Sequence, residues 1–124
     1  MIISDVCKNQ ITNMPLPPLP MWIIYVLRCR CDSFYIGIAK CSGKDYFAPL
    51  YRRIEKHIIG KGAGFTKLYT PVELMEIQYT NTPEQGVAMG LETYKVIEYR
   101  RKYGHRVGGG SYQNSPKFTK SYNY

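Results

Sequence analysis

Stretches of β-branched and aromatic residues alternate with one-sided apolar repeats in the middle of the chain. Residues 22–27 (Trp-Ile-Ile-Tyr-Val-Leu) and residues 34–38 (Phe-Tyr-Ile-Gly-Ile) are both typical of buried strands. Turn-forming residues at 31–33 lie between them, so the two runs predict a β-hairpin. A third strand is predicted over residues 72–79. Gly37, within the second run, indicates that another group approaches that strand closely.

A helix is predicted between the second and third strands. Over residues 46–59, Leu50, Ile54 and Ile58 recur at every fourth position and form one apolar stripe. Gly60 follows directly and is expected to end the helix, because glycine adopts the left-handed conformation that terminates helices.

A second, longer helix is predicted towards the end of the chain. It begins near Thr82, which has Gln85 three residues later as a capping box requires, and it runs to about Tyr103 before Gly104. Two neighbouring faces can be traced along this helix. One carries Val87, Leu91, Tyr94 and Ile97 or Glu98, and the other carries Ala88, Glu92, Val96 and Tyr99.

The order strand, strand, helix, strand, helix predicts an α+β fold, in which a small antiparallel β-sheet of three strands is flanked by helices. Residues 21–106 are expected to form this domain. The prolines that end residues 1–20 disfavour both helices and strand ladders, so this segment is predicted to be an extended arm or linker. Residues 107–124 are rich in glycine, serine and tyrosine and are expected to form a tail that is partly disordered or orders only against a partner.

The charge balance indicates a polyanionic partner. The chain has 17 Lys and Arg against 9 Asp and Glu, which gives a formal charge of +8 and a pI near 9.4. Such a surface favours nucleic acid first and an anionic membrane surface second. The longest apolar run, residues 21–27, is far shorter than the ~20 residues of a membrane span, and no signal-peptide pattern is present. We therefore expect an intracellular protein, in the cytoplasm or nucleus, that is not secreted.

Four cysteines occur in a chain without an export signal, so reduced thiols are expected. The spacing of Cys29 and Cys31 is too short for a Cys-x2-Cys zinc knuckle. On a strand, residues two apart point to the same face. These two cysteines are therefore interpreted as small apolar side chains rather than as metal ligands.

The candidate chemistry lies in a few polar residues on separate elements. A single tyrosine on a strand usually packs, and a single arginine or glutamate on a helix is usually solvated. Here Tyr25 and Tyr35 face each other across the predicted hairpin. Arg53 and His57 lie four positions apart and share a helical face, while Glu92 follows on the other helix. Their arrangement favours a common site.

These residues and their neighbours resemble the GIY-YIG nuclease family, in particular its small stand-alone members and the nuclease domain of the bacterial excision-repair incision subunit. The resemblance covers residues 21–104. Its segments are Ile23-Ile24-Tyr25, Tyr35-Ile36-Gly37-Ile38-Ala39-Lys40, Arg52-Arg53-Ile54-Glu55-Lys56-His57, Gly60-Lys61-Gly62-Ala63 with Thr66, and Ala88-Met89-Gly90-Leu91-Glu92. The first segment reads Ile-Ile-Tyr rather than Gly-Ile-Tyr, which leaves the tyrosine in place.

The resemblance implies a divalent-metal-dependent endonuclease that hydrolyses DNA phosphodiester bonds, one strand per active site, in DNA repair or recombination. Glu92 would bind the metal, and one carboxylate suits Mg²⁺ or Mn²⁺, which keep most of their hydration shell. Arg53 would offer its planar donor fork to the scissile phosphate.

The resemblance leaves the activation of water open among three residues. Tyr25 is the family's candidate, but an unperturbed tyrosine pKa near ~10 makes it a poor base unless nearby cations lower that value. His57 has the more suitable pKa and either takes the proton or orients the tyrosine. Tyr35 is expected to hold the phosphate or a water molecule of the metal.

DNA is the expected partner. Five basic residues near the proposed site suit its phosphate backbone, namely Lys40, Arg52, Lys56, Lys61 and Lys67. A second basic group follows the last helix, namely Lys95, Arg100, Arg101, Lys102 and Arg106. Either group is otherwise a solvated face. Cutting of both strands would require a homodimer, two encounters or a recruiting protein partner.

Two other functions fit the sequence less well. A non-catalytic nucleic-acid-binding module on the same fold would be expected to have lost the glutamate or the arginine, and this chain keeps Glu92 and Arg53. An adaptor that docks through the proline arm and the tyrosine-rich tail is supported by composition alone.

Overall fold

A computed structural model describes residues 1–14 and 19–109 of the protein. This part of the chain contains five strands and four helices. In order they are β1 (Ile2–Ile3), α1 (Asp5–Thr12), β2 (Met21–Cys29), β3 (Ser33–Cys41), α2 (Ala48–Ile58), α3 (Gly64–Leu68), β4 (Pro71–Tyr79), α4 (Gln85–Tyr103) and β5 (Val107–Gly109). No helix within these residues is long and apolar enough to cross a membrane.

The strands form one five-stranded mixed sheet in the order β1-β4-β2-β3-β5. Its centre is antiparallel, since β2 pairs with both β3 and β4. The two edge strands run parallel to their neighbours, β1 to β4 and β5 to β3. The α+β class is confirmed, but the prediction of three antiparallel strands is wrong. The edge strands have two and three residues, which is too short to show an alternating pattern.

The segment before the hairpin contains regular structure that its proline content does not suggest. Within residues 1–20 lie β1 and α1, and the Ser4 side chain caps α1 by accepting the backbone N–H of Cys7. Cys7 itself is fully buried, so α1 packs on the sheet. This differs from the extended arm predicted for residues 1–20. Residues 15–18 lie outside the described chain, as do residues 110–124 of the predicted tail.

The sheet is covered on both faces. One face carries the larger apolar cluster, which contains Leu50 and Ile54 of α2 together with Ile23 and Leu27 of β2. The other face carries a smaller cluster, in which Val96 and Tyr99 of α4 pack against alternate residues of β2 and β3. Alternation along β2 and β3 therefore decides which helix each strand residue meets.

Helix α4 ends as predicted but begins later than predicted. Gly104 follows Tyr103 with a φ of 71°, a positive value that glycine adopts without strain. At the other end the helix begins at Gln85, and Thr82 instead accepts the backbone N–H of Glu84 in a short turn. Of the two faces traced in the sequence, the one with Ala88, Glu92, Val96 and Tyr99 is buried.

Candidate active site

The β2–β3 hairpin holds two tyrosines on the face that packs against α2. Tyr25 pairs with Gly37 and Leu27 pairs with Tyr35, so the two tyrosine rings lie on one face with centroids 6.5 Å apart. Tyr25 is only 1% exposed and lies across Gly37. A Cβ at position 37 would lie 2.4 Å from Tyr25 Oη, which confirms the close approach predicted there.

His57 completes the buried face of α2. The stripe predicted from Leu50, Ile54 and Ile58 is correct for its first two members, but Ile58 is 37% exposed and His57 is 3% exposed. The helix phase therefore turns the histidine inward. Its Nε2 lies 2.9 Å from Tyr25 Oη, and its ring centroid lies 4.7 Å from that of Tyr35. The structure thus brings His57 and both tyrosines together.

The other ring nitrogen of His57 is enclosed by the segment that follows α2. Nδ1 lies 2.9 Å from Thr66 Oγ1, and the Thr66 hydroxyl donates to the Ala63 carbonyl at 3.0 Å. Gly62 lies against the ring, and a Cβ added to this glycine would lie 2.3 Å from Nδ1. Thr66 and Gly62 stand in the sequence motif, but no contact could be assigned to them, because helix α3 has only five residues and no recognisable pattern.

A cationic cleft opens beside these residues. Its volume is about 400 Å³. Arg53, Lys56 and Lys61 line it together with Tyr35 and His57, and the three cationic side chains are exposed to solvent. Among the ion pairs of the described residues, none involves these three cations. The cleft therefore presents positive charge next to His57, which in turn contacts the buried Tyr25.

The pKa values of that pair shift in opposite directions. Burial raises the pKa of Tyr25 well above 10.0; Tyr35 and Glu92 raise it further, and the positive charge of Arg53 opposes this rise. Burial lowers the pKa of His57 from 6.5 to about 4, and the charge of Arg53 lowers it further. At neutral pH the tyrosine is therefore a phenol and the histidine is uncharged. Arg53 and Glu92 both lie close enough to Tyr25 to act on it electrostatically.

Glu92 reaches this region from the opposite layer. It lies in α4 between the fully buried Ala88 and Val96, and it is only 5% exposed. A buried carboxylate is costly without a partner, and Glu92 makes contacts within the protein. Over residues 1–14 and 19–109, no three His, Cys, Asp or Glu side chains cluster as a metal-binding group. A single carboxylate such as that of Glu92 would suit an ion that retains most of its water, such as Mg²⁺ or Mn²⁺.

The predicted DNA-contacting residues divide into two sets. Lys56 and Lys61 line the cleft. Lys40, Arg52 and Lys67 are exposed but do not line it. Lys40 is five positions from Tyr35 on β3, so its side chain points to the face of the sheet that α4 covers.

The second basic group is largely engaged within the fold. Lys95 forms ion pairs with Glu76 at 3.2 Å and with Glu98 at 3.3 Å. Arg100 is fully buried and its Nε donates to the Val107 carbonyl. A groove of about 860 Å³ between α4 and β4 contains this ion-pair network and lies on the other face of the sheet from Tyr35. Its charges are therefore mixed rather than uniformly positive.

Comparison with known proteins identifies the family of the chain. The sequence model of the GIY-YIG catalytic domain matches residues 21–104, more than half of the chain. The chain is 27% identical over 96 residues to the UPF0213 protein BH0048 of Halalkalibacterium halodurans, covering 77% of this chain and 94% of that protein. It is 36% identical over 78 residues to the UPF0213 protein YazA of Bacillus subtilis, covering 63% and 69%.

A UPF0213 protein of Bacillus cereus is 30% identical over 96 residues, covering 77% of this chain and 90% of that protein. No solved structure matches the chain significantly. The matched domain begins with β2 and ends directly after α4, so it contains Tyr25, Tyr35, Arg53, His57 and Glu92. The chain therefore belongs to the GIY-YIG family, whose members are generally endonucleases.

Proposed function

We propose that the protein is a divalent-metal-dependent endonuclease that hydrolyses DNA phosphodiester bonds, one strand at each active site. The observation that carries this proposal is the buried contact of Tyr25 Oη with His57 Nε2 beneath a cleft lined by cations. Burying two polar rings against each other costs desolvation, and a packed core needs neither hydroxyl nor imidazole at these positions. Hydrolysis of a phosphodiester needs a proton acceptor and neutralisation of phosphate charge at the same place.

Tyr25 and His57 together activate the attacking water. His57 is uncharged at neutral pH because its pKa is lowered to about 4, so Nε2 is available for hydrogen bonding and proton transfer. The phosphate of bound DNA brings negative charge into the cleft, which opposes the effect of Arg53 and makes the imidazole a stronger base during the reaction. His57 itself lines the cleft, and Tyr25, which contacts its Nε2, relays the proton of the water to it. Tyr35 also lines the cleft, where it can donate to a phosphate oxygen.

Charge on the phosphate is stabilised by side chains with fixed donors. Arg53 presents a planar guanidinium in the cleft, which suits two phosphate oxygens at once. Lys56 and Lys61 add to the positive surface of the cleft and hold the flanking DNA backbone. Glu92 would hold the divalent ion, which when bound supplies further charge neutralisation at the phosphorus and the leaving oxygen.

Cleavage assays test the proposal. Purified protein with Mg²⁺ or Mn²⁺ is expected to cut at least one substrate in a panel of linear, supercoiled, nicked, flapped and branched DNA. Glu92→Gln and Arg53→Ala should each reduce the rate by at least about 100-fold while the protein stays folded by circular dichroism. Lys102→Gln, an exposed change on α4, is the matched control and should leave the rate unchanged.

The outcomes separate the enzyme from its alternative. Failure to cut any substrate, together with tight DNA binding, would establish the non-catalytic binding module instead. Full activity in either the Glu92 or the Arg53 variant would contradict the assignment of these residues. Supercoiled plasmid should be converted first to the nicked circle, because one site can attack one strand at a time.

A further inference from the structure

We infer that Thr66 is a positioning residue that sets the tautomer of His57 and thereby the direction in which Tyr25 passes its proton. The inference rests on the proposed function only for its catalytic consequence. The tautomer itself is a property of the free protein and is measurable without any substrate. The sequence alone gives Thr66 no role, although the residue stands in one of the motif segments.

The direction of proton donation follows from placing the protons in three successive contacts. These join Ala63 to Thr66, Thr66 to His57, and His57 to Tyr25. The Ala63 carbonyl can only accept, and in the arrangement we infer the Thr66 hydroxyl donates its single proton to it, at 3.0 Å. Thr66 Oγ1 must then accept a hydrogen bond from His57 Nδ1, 2.9 Å away, which places the imidazole proton on Nδ1. In a neutral ring Nε2 is then without a proton, and Tyr25 must donate to it across 2.9 Å.

Burial protects this arrangement from water. Tyr25, His57 and Thr66 are 1%, 3% and 1% exposed, so each contact is made inside the protein. The Gly62 backbone covers the Nδ1 side of the ring so closely that a Cβ there would lie 2.3 Å from the nitrogen. The hydroxyl of Thr66 is therefore the hydrogen-bond partner of Nδ1 in an environment that shields both from water.

One other arrangement satisfies the same distances and must be distinguished. The Ala63 carbonyl also accepts the backbone N–H of Lys67 at 3.3 Å, so it would keep one donor if the Thr66 hydroxyl turned towards Nδ1. The imidazole proton would then lie on Nε2, and Tyr25 Oη would accept it. We favour the first arrangement because the Ala63 carbonyl then accepts the Thr66 hydroxyl at 3.0 Å in addition to the Lys67 N–H at 3.3 Å, so both of its lone pairs are used.

The favoured tautomer gives a complete proton path for hydrolysis. The attacking water loses a proton to Tyr25 Oη while the phenolic proton moves to His57 Nε2, so the tyrosine is unchanged and the histidine becomes imidazolium. The water oxygen forms the new bond to phosphorus. The leaving oxygen departs with the electron pair of the broken P–O bond and takes a proton from solvent. His57 afterwards loses its extra proton to solvent through Tyr25.

Nuclear magnetic resonance tests the tautomer directly. The chain has two histidines, so long-range ¹H–¹⁵N correlation of the ring atoms at pH 7 gives two patterns, and a His105→Gln variant assigns them. In the metal-free wild-type protein, His57 is expected to carry its proton on Nδ1. Thr66→Ser keeps the hydroxyl and should keep this pattern. Thr66→Val has nearly the same shape without the hydroxyl and should shift the ring towards the Nε2-protonated form.

Kinetics then connects the tautomer to the reaction. Thr66→Val should lower kcat by roughly 100-fold with little change in KM, since a misoriented base costs turnover rather than binding. Thr66→Ser should stay within about threefold of wild type. Measurement of circular dichroism and thermal unfolding establishes that both variants are folded.

An Nε2-protonated His57 in the wild-type protein would overturn the inference whatever the variants do. An Nδ1-protonated ring that is unchanged in a folded Thr66→Val protein would also overturn it. If the tautomers behave as expected but no DNA is cut, the proposed nuclease function fails and the positioning role of Thr66 stands.

Discussion

Tyr25 and His57 are both buried, and burial moves their pKa values apart, upwards for the phenol and downwards for the imidazole. The sequence alone leaves the base open among Tyr25, His57 and Tyr35. Once both groups are enclosed, an isolated tyrosinate is strongly disfavoured, since the buried phenol keeps its proton. The neutral imidazole in contact with it is the group that can accept a proton at neutral pH. The residue types indicate the candidate bases, and burial favours His57 over Tyr25 as the proton acceptor.

The same burial makes the stability of the protein depend on pH. The pKa of His57 is 6.5 when unperturbed and about 4 in the folded protein, so between these values the unfolded chain binds more protons than the folded one. The free energy of unfolding should therefore rise with pH through this window, and the contribution of His57 should be lost as the pH falls from 6.5 towards 4. The difference corresponds to roughly 3 kcal/mol.

Urea unfolding at pH 7.5 and pH 4.5 measures this effect, and the change should be smaller in a His57→Gln variant. Subtracting the variant from the wild type removes the contribution of carboxylates that titrate in the same range. A ring titration followed by NMR provides the direct check. A His57 midpoint near 6.5 would contradict the account, because it would mean that the imidazole is not desolvated.

At the level of elements, the sequence predicts what is long and periodic. The hairpin, the helix around Ile54, the strand up to Tyr79 and the helix up to Tyr103 are all confirmed within a few residues. Each contains enough positions for a period of two or of 3.6 to be recognised. The family resemblance supplied the grouping of Tyr25 and Glu92, which no local pattern could give.

The two edge strands, β1 and β5, are not predicted from the sequence, because each forms only by pairing with a strand far along the chain. β1 pairs with residues 73 and 74, and β5 pairs with residues 34–36, so neither strand exists without its distant neighbour. Gly109 adopts a φ of 127° and lies so close to β3 that a Cβ there would meet the Ile36 carbonyl oxygen at 2.0 Å. Glycine-rich sequence suggested a disordered tail, whereas here glycine permits close strand pairing.

The close packing of Gly37 against Tyr25 within the hairpin yields a prediction at the level of elements. In Gly37→Ala, the new methyl group would lie 2.4 Å from Tyr25 Oη and 2.5 Å from Cζ, so the ring must move away from His57. Overpacking of this kind costs about 1–3 kcal/mol of stability. Because the Tyr25–His57 contact is lost, cleavage should fall by about 100-fold even at temperatures where the variant is folded.

Gly86→Ala is the matched control, since position 86 is exposed on α4 and no atom lies within 4 Å of its added Cβ. This variant should be as stable as the wild type, or slightly more stable, because alanine favours helix. Cleavage rates and thermal unfolding of both variants decide the question. A fully active Gly37→Ala protein would show that the close approach of Tyr25 has no bearing on the reaction.

Across the whole molecule, only some of the positive side chains are available to bind an external anion. The formal charge is +8, but Arg28 and Lys95 are paired with glutamates and Arg100 is buried. The cations lining the cleft have none of these described ion pairs, so they are free to meet an external anion. The sequence does not distinguish the cations engaged within the fold from those lining the cleft, because Lys and Arg occur at similar density in both groups.

This difference predicts which side of the molecule DNA covers. Each phosphate neutralised on duplex DNA contributes about 0.9 to the slope of log affinity against log salt. Replacing Lys56 and Lys61 by glutamine in a Glu92→Gln background, where cutting is abolished, should reduce that slope by about 1.8. Replacing Lys102 on α4 should leave the slope unchanged, since that residue lies at a groove of mixed charge. Fluorescence anisotropy with labelled duplex between 50 and about 200 mM salt measures all three slopes. An equal loss from the α4 substitution would mean that DNA wraps both faces, and the cleft would then be only part of the interface.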